Sequence, residues 1–300
     1  MSDAKTPQAR FSTSAALGYA WVIFRARPGS FIRLTVLQSV IFSVTGFASI
    51  WLMGRAGLNA DAPTAEQFAI LMRTSALTSG LSLIVIPLWV WIEAMWLDVF
   101  FNRSPRLWPG WGDYGRLLLT FVIALGIFFV GYMALLFAGV ILISAAAFGG
   151  AGPAILAGLA VFGAVIAFLL LVQMRLTALP ALAFARGGVP FGKAWRLVSG
   201  RFGALTLAWI AYGLLYLLAL IATLAVMALT PVDFLAGIQA AIAQPENPLA
   251  QYAVYSPLVT DAGAAAATFI AFVVLNLLFT PIMTVARGVG VRLALEAEGV

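Results

Sequence analysis

The sequence predicts an all-α integral membrane protein: six transmembrane helices in three related hairpins, each preceded by an interfacial amphipathic segment. Three observations predict it. Apolar residues fill 63% of the 300 positions and charged ones only 9%, with a mean hydropathy of +1.04. Six apolar runs have the length of a membrane span. One unit of lead-in, helix, loop and returning helix recurs three times along the chain.

Soluble domains are roughly half apolar and a quarter charged. A soluble chain of this size could not hide the excess, because surface area falls only slowly relative to mass. Lipid must therefore be part of the solvent. The same composition removes chemistry. There is no cysteine and no histidine, which excludes disulfides, thiolate catalysis, the usual zinc sites and histidine-ligated haem. The commonest general base is gone as well. The only lysines are Lys5 and Lys193, so no membrane-buried lysine is left for a Schiff base. Neither a cofactor nor an enzymatic activity is expected.

A span needs about 20 mainly apolar residues, and the runs that qualify are 31–53, 79–101, 117–146, 152–175, 203–229 and 262–286. Helices are expected because lipid offers no partner to open backbone groups, and the runs lack the alternation of barrel strands. The first run follows a tail (1–13) and a basic, aromatic stretch without a signal peptide's apolar core or cleavage site, so it should be retained as an anchor. Before the second, Thr64 and Gln67 have capping-box spacing and predict a short surface helix. FGGAGP (148–153) is a tight turn between the third and fourth runs, and no charge occurs from Leu117 to Leu171. The fourth continues through Gln173 and Arg175 to a bend near Pro180. In the long connection 230–261, DFLAGIQAAIA predicts a short helix and PENP a turn.

Fifteen of the 17 lysines and arginines fall on one side of this layout. The other side has only Arg55 and Arg73, against Asp61, Glu66, Asp233, Glu246 and Asp261. The positive-inside rule then puts both termini in the cytoplasm. A multi-pass protein of a bacterial cytoplasmic (inner) membrane is expected.

Within this single membrane domain (1–300) the repeat units are 14–103, 104–186 and 187–300. Their lead-ins are AWVIFRARPGSF (20–31), WPGWGDYGRLLL (108–119) and AWRLVSGRFGAL (194–205). The first and third align without a gap, Trp21 on Trp195 and Arg27 on Arg201; the middle copy is looser. The returning helices carry Pro87, Pro180 and Pro281, and PALAFARG (180–187) matches PIMTVARG (281–288). In the first unit Glu93 stands where the others have Arg186 and Arg287. With Arg175 these form a candidate intramembrane charge cluster. It would lock the units together through charge-assisted hydrogen bonds or serve a substrate or proton.

The third lead-in places Phe191, Trp195, Val198 and Phe202 on one helix face and Lys193, Arg196 and Gly200 on the other. An interfacial helix has this form, with aromatics in the acyl boundary and cations toward headgroups. The candidate interfacial and headgroup residues are Trp21, Arg25, Arg27, Trp111, Arg116, Lys193, Trp195, Arg196 and Arg201. Each cation near an acidic leaflet contributes about 1 kcal/mol. That attraction serves either plain anchoring or a phospholipid-headgroup pocket. Scattered at helix ends, the cations do not form a nucleic-acid surface, and no nucleic-acid partner is expected. Trp89, Trp91, Trp96, Phe100 and Phe101 read as an aromatic interface belt, with a ligand cage as the alternative. Glu93 and Asp98, five positions apart, do not share a helix face and make a poor catalytic pair.

The run LPALAFARGGVPFGKAWRLVSGRF (179–202) resembles the membrane-domain family named after bacterial glycerophosphoryl diester phosphodiesterases. Trp195, Leu197, Gly200 and Phe202 fit its pattern; Arg186 and Ala194 stand where the family has an acidic residue and a serine. The resemblance implies the membrane domain alone. The hydrolase of that family's two-part members needs a soluble barrel with carboxylates and histidines, and this chain has no histidine.

The function expected is that of a non-enzymatic accessory or scaffold protein, binding anionic phospholipid or a membrane-protein partner, with self-association open. The alternative is a small transporter or lipid translocator with a cavity among the hairpins. An enzyme acting on lipid is the third reading.

Overall fold

The computed structural model of the chain describes residues 11–58, 65–147, 152–244, 247 and 249–298. Among the described residues there is no strand, and six helical segments are long and apolar enough to cross a membrane. They are Pro28–Arg55, Ala65–Phe100, Trp111–Val140, Leu156–Arg186, Phe202–Met227 and Ala262–Glu298. The tail 1–10, Thr64 with its proposed cap, most of the 148–153 turn and most of PENP lie outside the described residues.

The chain divides into two compact units. The first takes the chain up to Val22, Leu97–Ile210 and the chain from Val285 onward. It contains most of α1 (Thr13–Ala26), and all of α4 (Trp111–Ala147), α5 (Gly152–Leu176), α6 (Leu179–Arg186) and α7 (Phe191–Leu197). It also holds the end of α3 (Ala65–Phe100), the start of α8 (Phe202–Met227) and the end of α11 (Ala262–Glu298). α4 and α5 approach closely where Gly131 faces Leu169: a Cβ there would lie 2.1 Å from a leucine methyl. Small residues let membrane helices pack in this way. A Cβ on Gly290 of α11 would meet the Thr177 carbonyl oxygen at 2.4 Å.

The second unit takes Ile23–Trp96 and Ala211–Thr284. It contains α2 (Pro28–Arg55), most of α3, the rest of α8, α9 (Phe234–Ala243), a 3-10 turn (Ala250–Tyr255), α10 (Pro257–Thr260) and most of α11. Asp233 caps α9, its side chain accepting from the Ala236 N–H at 2.8 Å. The helix expected in DFLAGIQAAIA is therefore present, with its cap at the first residue of that run. Leu58, Leu71 and Leu249 form a buried cluster beside Tyr252.

Helix ends follow local chemistry. α2 begins one residue after Arg27 and α8 one residue after Arg201, the two arginines that the lead-ins align. Pro28 suits a first helical position, because its missing N–H would have no partner there. α3 stops in a Schellman motif: Asn102 has φ 58°, the Arg103 N–H donates to the Asp98 carbonyl at 2.7 Å, and Asn102 donates to Val99 at 3.1 Å. α6 stops at Gly187, whose φ of 80° suits glycine.

Four expectations are corrected. The surface helix before the second span is the opening of α3 itself, because no proline interrupts the chain between Ala65 and Pro87. The middle lead-in is the first turn of α4 from Trp111 onward. α11 continues beyond position 286 to Glu298. α7 ends at Leu197, so Val198 and Phe202 do not extend its aromatic face; Phe202 opens α8. At ~1.5 Å per residue, α3 and α11 are each about 55 Å long against ~30 Å of hydrocarbon. The prolines differ too. Pro87 and Pro281 lie inside unbroken helices, whereas the chain breaks at Thr177–Ala178 and Pro180 lies in the first turn of α6.

Candidate functional site

Nine charged residues of the first unit gather into two networks. One begins at Asp98, whose side chain is fully buried at the end of α3. The Schellman turn brings Arg106 back over it. Arg106 donates from Nε to Oδ2 at 3.0 Å, from Nη2 to Oδ1 at 3.1 Å, and from its backbone N–H to Oδ2 at 3.2 Å. Such a bidentate pair supplies the partner that a buried carboxylate requires. The hydrogen bond to Asp98, opposed by burial, holds the Arg106 guanidinium above its ordinary pKa. Arg106 continues to Asp113 at 3.1 Å, whose other oxygen accepts from Arg116. Arg116 then donates to the Gly187 carbonyl at 3.2 Å. The faces of Phe101 and Phe184 stack with centroids 6.1 Å apart, with the Arg103 guanidinium 5.7 Å from each.

The other network surrounds the last turn of α11. Arg201 donates to Glu296 Oε1 from Nη2 at 2.8 Å and from Nε at 3.3 Å. Glu298 Oε1 accepts from Lys193 at 3.0 Å and, on the same oxygen, from Arg186 Nε. Lys193 also lies 3.3 Å from the Ala297 carbonyl. Nearby, Arg175 reaches the Trp195 carbonyl and the Ser199 hydroxyl, each at 2.8 Å, with its guanidinium 5.3 Å from the Trp195 ring centroid.

The residues singled out in the sequence therefore divide. Arg175 and Trp195, read as parts of separate groups, meet. Arg186 closes on Glu298, and Lys193 and Arg201 also face carboxylates of their own chain rather than standing open to headgroups. Glu93 is buried, within a run from Ile92 to Phe100 that is buried throughout, and Arg287 is half-buried on α11. Arg27 precedes α2 half-buried. Trp21 and Trp111 remain 54% and 77% exposed, and Arg25 and Arg196 are exposed as well. Phe191 and Trp195 stack across one turn of α7, centroids 6.1 Å apart. Trp111 belongs to a cluster with Trp108 and Tyr114 at centroid distances of 4.8 and 6.4 Å.

The aromatic belt expectation fails at Trp96 and Phe100, which are fully buried. Trp96 packs edge-on against Phe31 and donates from Nε1 to Gln38 Oε1 at 2.8 Å. Buried indole needs such a partner.

Sequence reasoning missed a polar seam in the second unit. Ser39 and Thr280 hydroxyls lie 3.1 Å apart, and Asn276 Nδ2 donates to Ser43 Oγ at 3.1 Å. α2 carries Thr35, Ser39 and Ser43 at every fourth position, and α11 carries Asn276, Thr280 and Thr284 likewise. The two observed rungs set an antiparallel register that aligns Thr35 with Thr284. This four-residue periodicity is visible in the sequence. Glu296 and Glu298 had a weaker signal, two acids closing a basic segment.

No protein-family model, curated protein or solved structure matches this chain.

Proposed function

We propose that the chain is a non-enzymatic accessory or scaffold protein of a bacterial inner membrane that holds anionic phospholipid at an aromatic and basic surface. The observation that carries this reading is a contrast in exposure. Trp21, Trp111, Arg25 and Arg196 are exposed, whereas the side chains of Lys193 and Arg201 are only 25% and 30% exposed and face Glu298 and Glu296. The outward tryptophans and arginines are the residue types that settle in the interface and meet acidic headgroups. The reading includes three repeated hairpins with cytoplasmic lead-ins. Its support is the common start of α2 and α8 after aligned arginines. It also includes the membrane-domain resemblance of residues 179–202.

Mass spectrometry of protein purified in a maltoside detergent tests it. Anionic phospholipid should co-purify in excess over zwitterionic lipid, and Trp21→Ala with Arg25→Gln, Trp111→Ala and Arg196→Gln should remove that excess. A preparation carrying neither anionic lipid nor a protein partner overturns it.

The seam of buried Ser39, Ser43 and Thr280 with half-buried Asn276, together with buried Glu93, favours the second reading, a transporter or lipid translocator. Polar groups inside spanning helices are costly and line pathways. On the scaffold reading Glu93→Gln leaves lipid retention unchanged. On the transporter reading the same folded variant loses flux in proteoliposomes.

A further inference from the structure

The ion pairs at the end of α11 differ in depth. The Glu296 side chain beneath Arg201 is 11% exposed. At Glu298 the pair is open: side-chain exposures are 45% for Arg186, 25% for Lys193 and 24% for Glu298. Two cations from different helices converge there on the single oxygen Oε1. One carboxylate between two cations leaves an excess positive charge. Arg186 uses only Nε toward Glu298, so the guanidinium's Nη donors have no protein acceptor among the described residues. A carboxylate that matched the arginine fork would engage two donors in parallel.

Arg186 ends α6 against the left-handed Gly187 turn, and Lys193 lies on α7 four residues after Val189, beyond Pro190. Glu298 sits on the last turn of α11, and terminal turns open at little cost. Arg186 and Glu298 thus both stand on last turns, so the carboxylate can leave the cationic pair at little cost.

We infer that Arg186 and Lys193 form a binding site for a phosphate group, and that Glu298 occupies it as a resident, displaceable carboxylate. A phosphomonoester has three acceptor oxygens and nearly two negative charges at neutral pH. It would satisfy the ammonium and the unused arginine donors together, which one carboxylate oxygen does not. This deepens the lipid-surface reading by naming a headgroup chemistry and depends on that reading only for where the phosphate comes from.

Isothermal titration of inorganic phosphate into the full chain in maltoside micelles, which contain no phosphate, reads the site alone. Glu298→Gln should bind phosphate about fivefold to tenfold more tightly than the unaltered chain, the scale of releasing one or two surface ion pairs. Adding Arg186→Gln or Lys193→Met to Glu298→Gln should abolish the gain. Mixed micelles carrying phosphatidate distinguish the source: tighter retention of phosphatidate than of inorganic phosphate assigns a lipid headgroup, and equal affinity assigns free phosphate. If Glu298→Gln loses the unaltered chain's unfolding temperature, Glu298→Ala repeats the comparison. A folded variant that binds neither source more tightly overturns the inference. Failure here leaves the exposed tryptophan and arginine surface untouched, because its test reads lipid retained by Trp21, Arg25, Trp111 and Arg196.

Discussion

At Asp98 the cost of a buried charge decides the local design. The carboxylate is fully buried and Arg106 is half in water, so the arginine is the replaceable half and the aspartate the demanding one. Removing one partner of a fully buried pair costs about 3–5 kcal/mol; solvent at Arg106 reduces this to roughly 2–3 kcal/mol. Arg106→Gln should therefore lower the unfolding temperature in micelles more than Asp98→Asn does, because the asparagine leaves no buried charge behind. The reverse order would show that Asp98 is solvated by something other than Arg106. Asp98 was legible only as a charge near a helix end. Its partner was not, since the return of residue 106 depends on the positive φ of Asn102. The same limit hid Glu298: its closest cations are Arg186 and Lys193, more than 100 positions away in sequence.

Among the helices, α2 and α11 illustrate how polar residues hold spans together. Apolar faces gain little from each other in lipid, so interhelical hydrogen bonds and close packing carry the association. A double-mutant cycle of Ser39→Ala and Thr280→Val should give a coupling of about 0.6 kcal/mol, below a ceiling near 1.7. Additive losses would mean that the two hydroxyls, 3.1 Å apart, exchange no hydrogen bond. The existence of the six long apolar segments was readable from hydropathy alone. Their ends were not. α3 and α11 outrun their apolar windows because no proline lies between Ala65 and the second apolar run or after Pro281, so the same hydrogen-bond ladder continues. Sequence identity also misled at PALAFARG and PIMTVARG. The glycine after the first ends α6, while its counterpart Gly288 stays helical inside α11. That helical continuation lies against the backbone of α1: a Cβ on Gly288 would be 3.2 Å from Ala20 N.

For the molecule as a whole, the distribution of charge predicts an orientation that labelling can read directly. The chain has no cysteine, so single substitutions give a clean background. Ser104→Cys should react with an impermeant maleimide only after the cells are opened, and Gln244→Cys should react in intact cells. The opposite pattern would reverse the orientation. Composition, hydropathy and the unequal placement of lysine and arginine suffice for the membrane class and for this expectation, because transfer into lipid is nearly additive along the chain. They also supplied the exposed Trp21, Arg25, Trp111 and Arg196. Which charges are spent on one another is another matter. Lys193 and Arg201 look alike in the sequence to Arg196, yet two face glutamates and the third faces solvent. Ion pairing depends on distances between residues remote in the chain. It was therefore decided only when the helices packed, by where the last turn of α11 came to rest among α6, α7 and the start of α8.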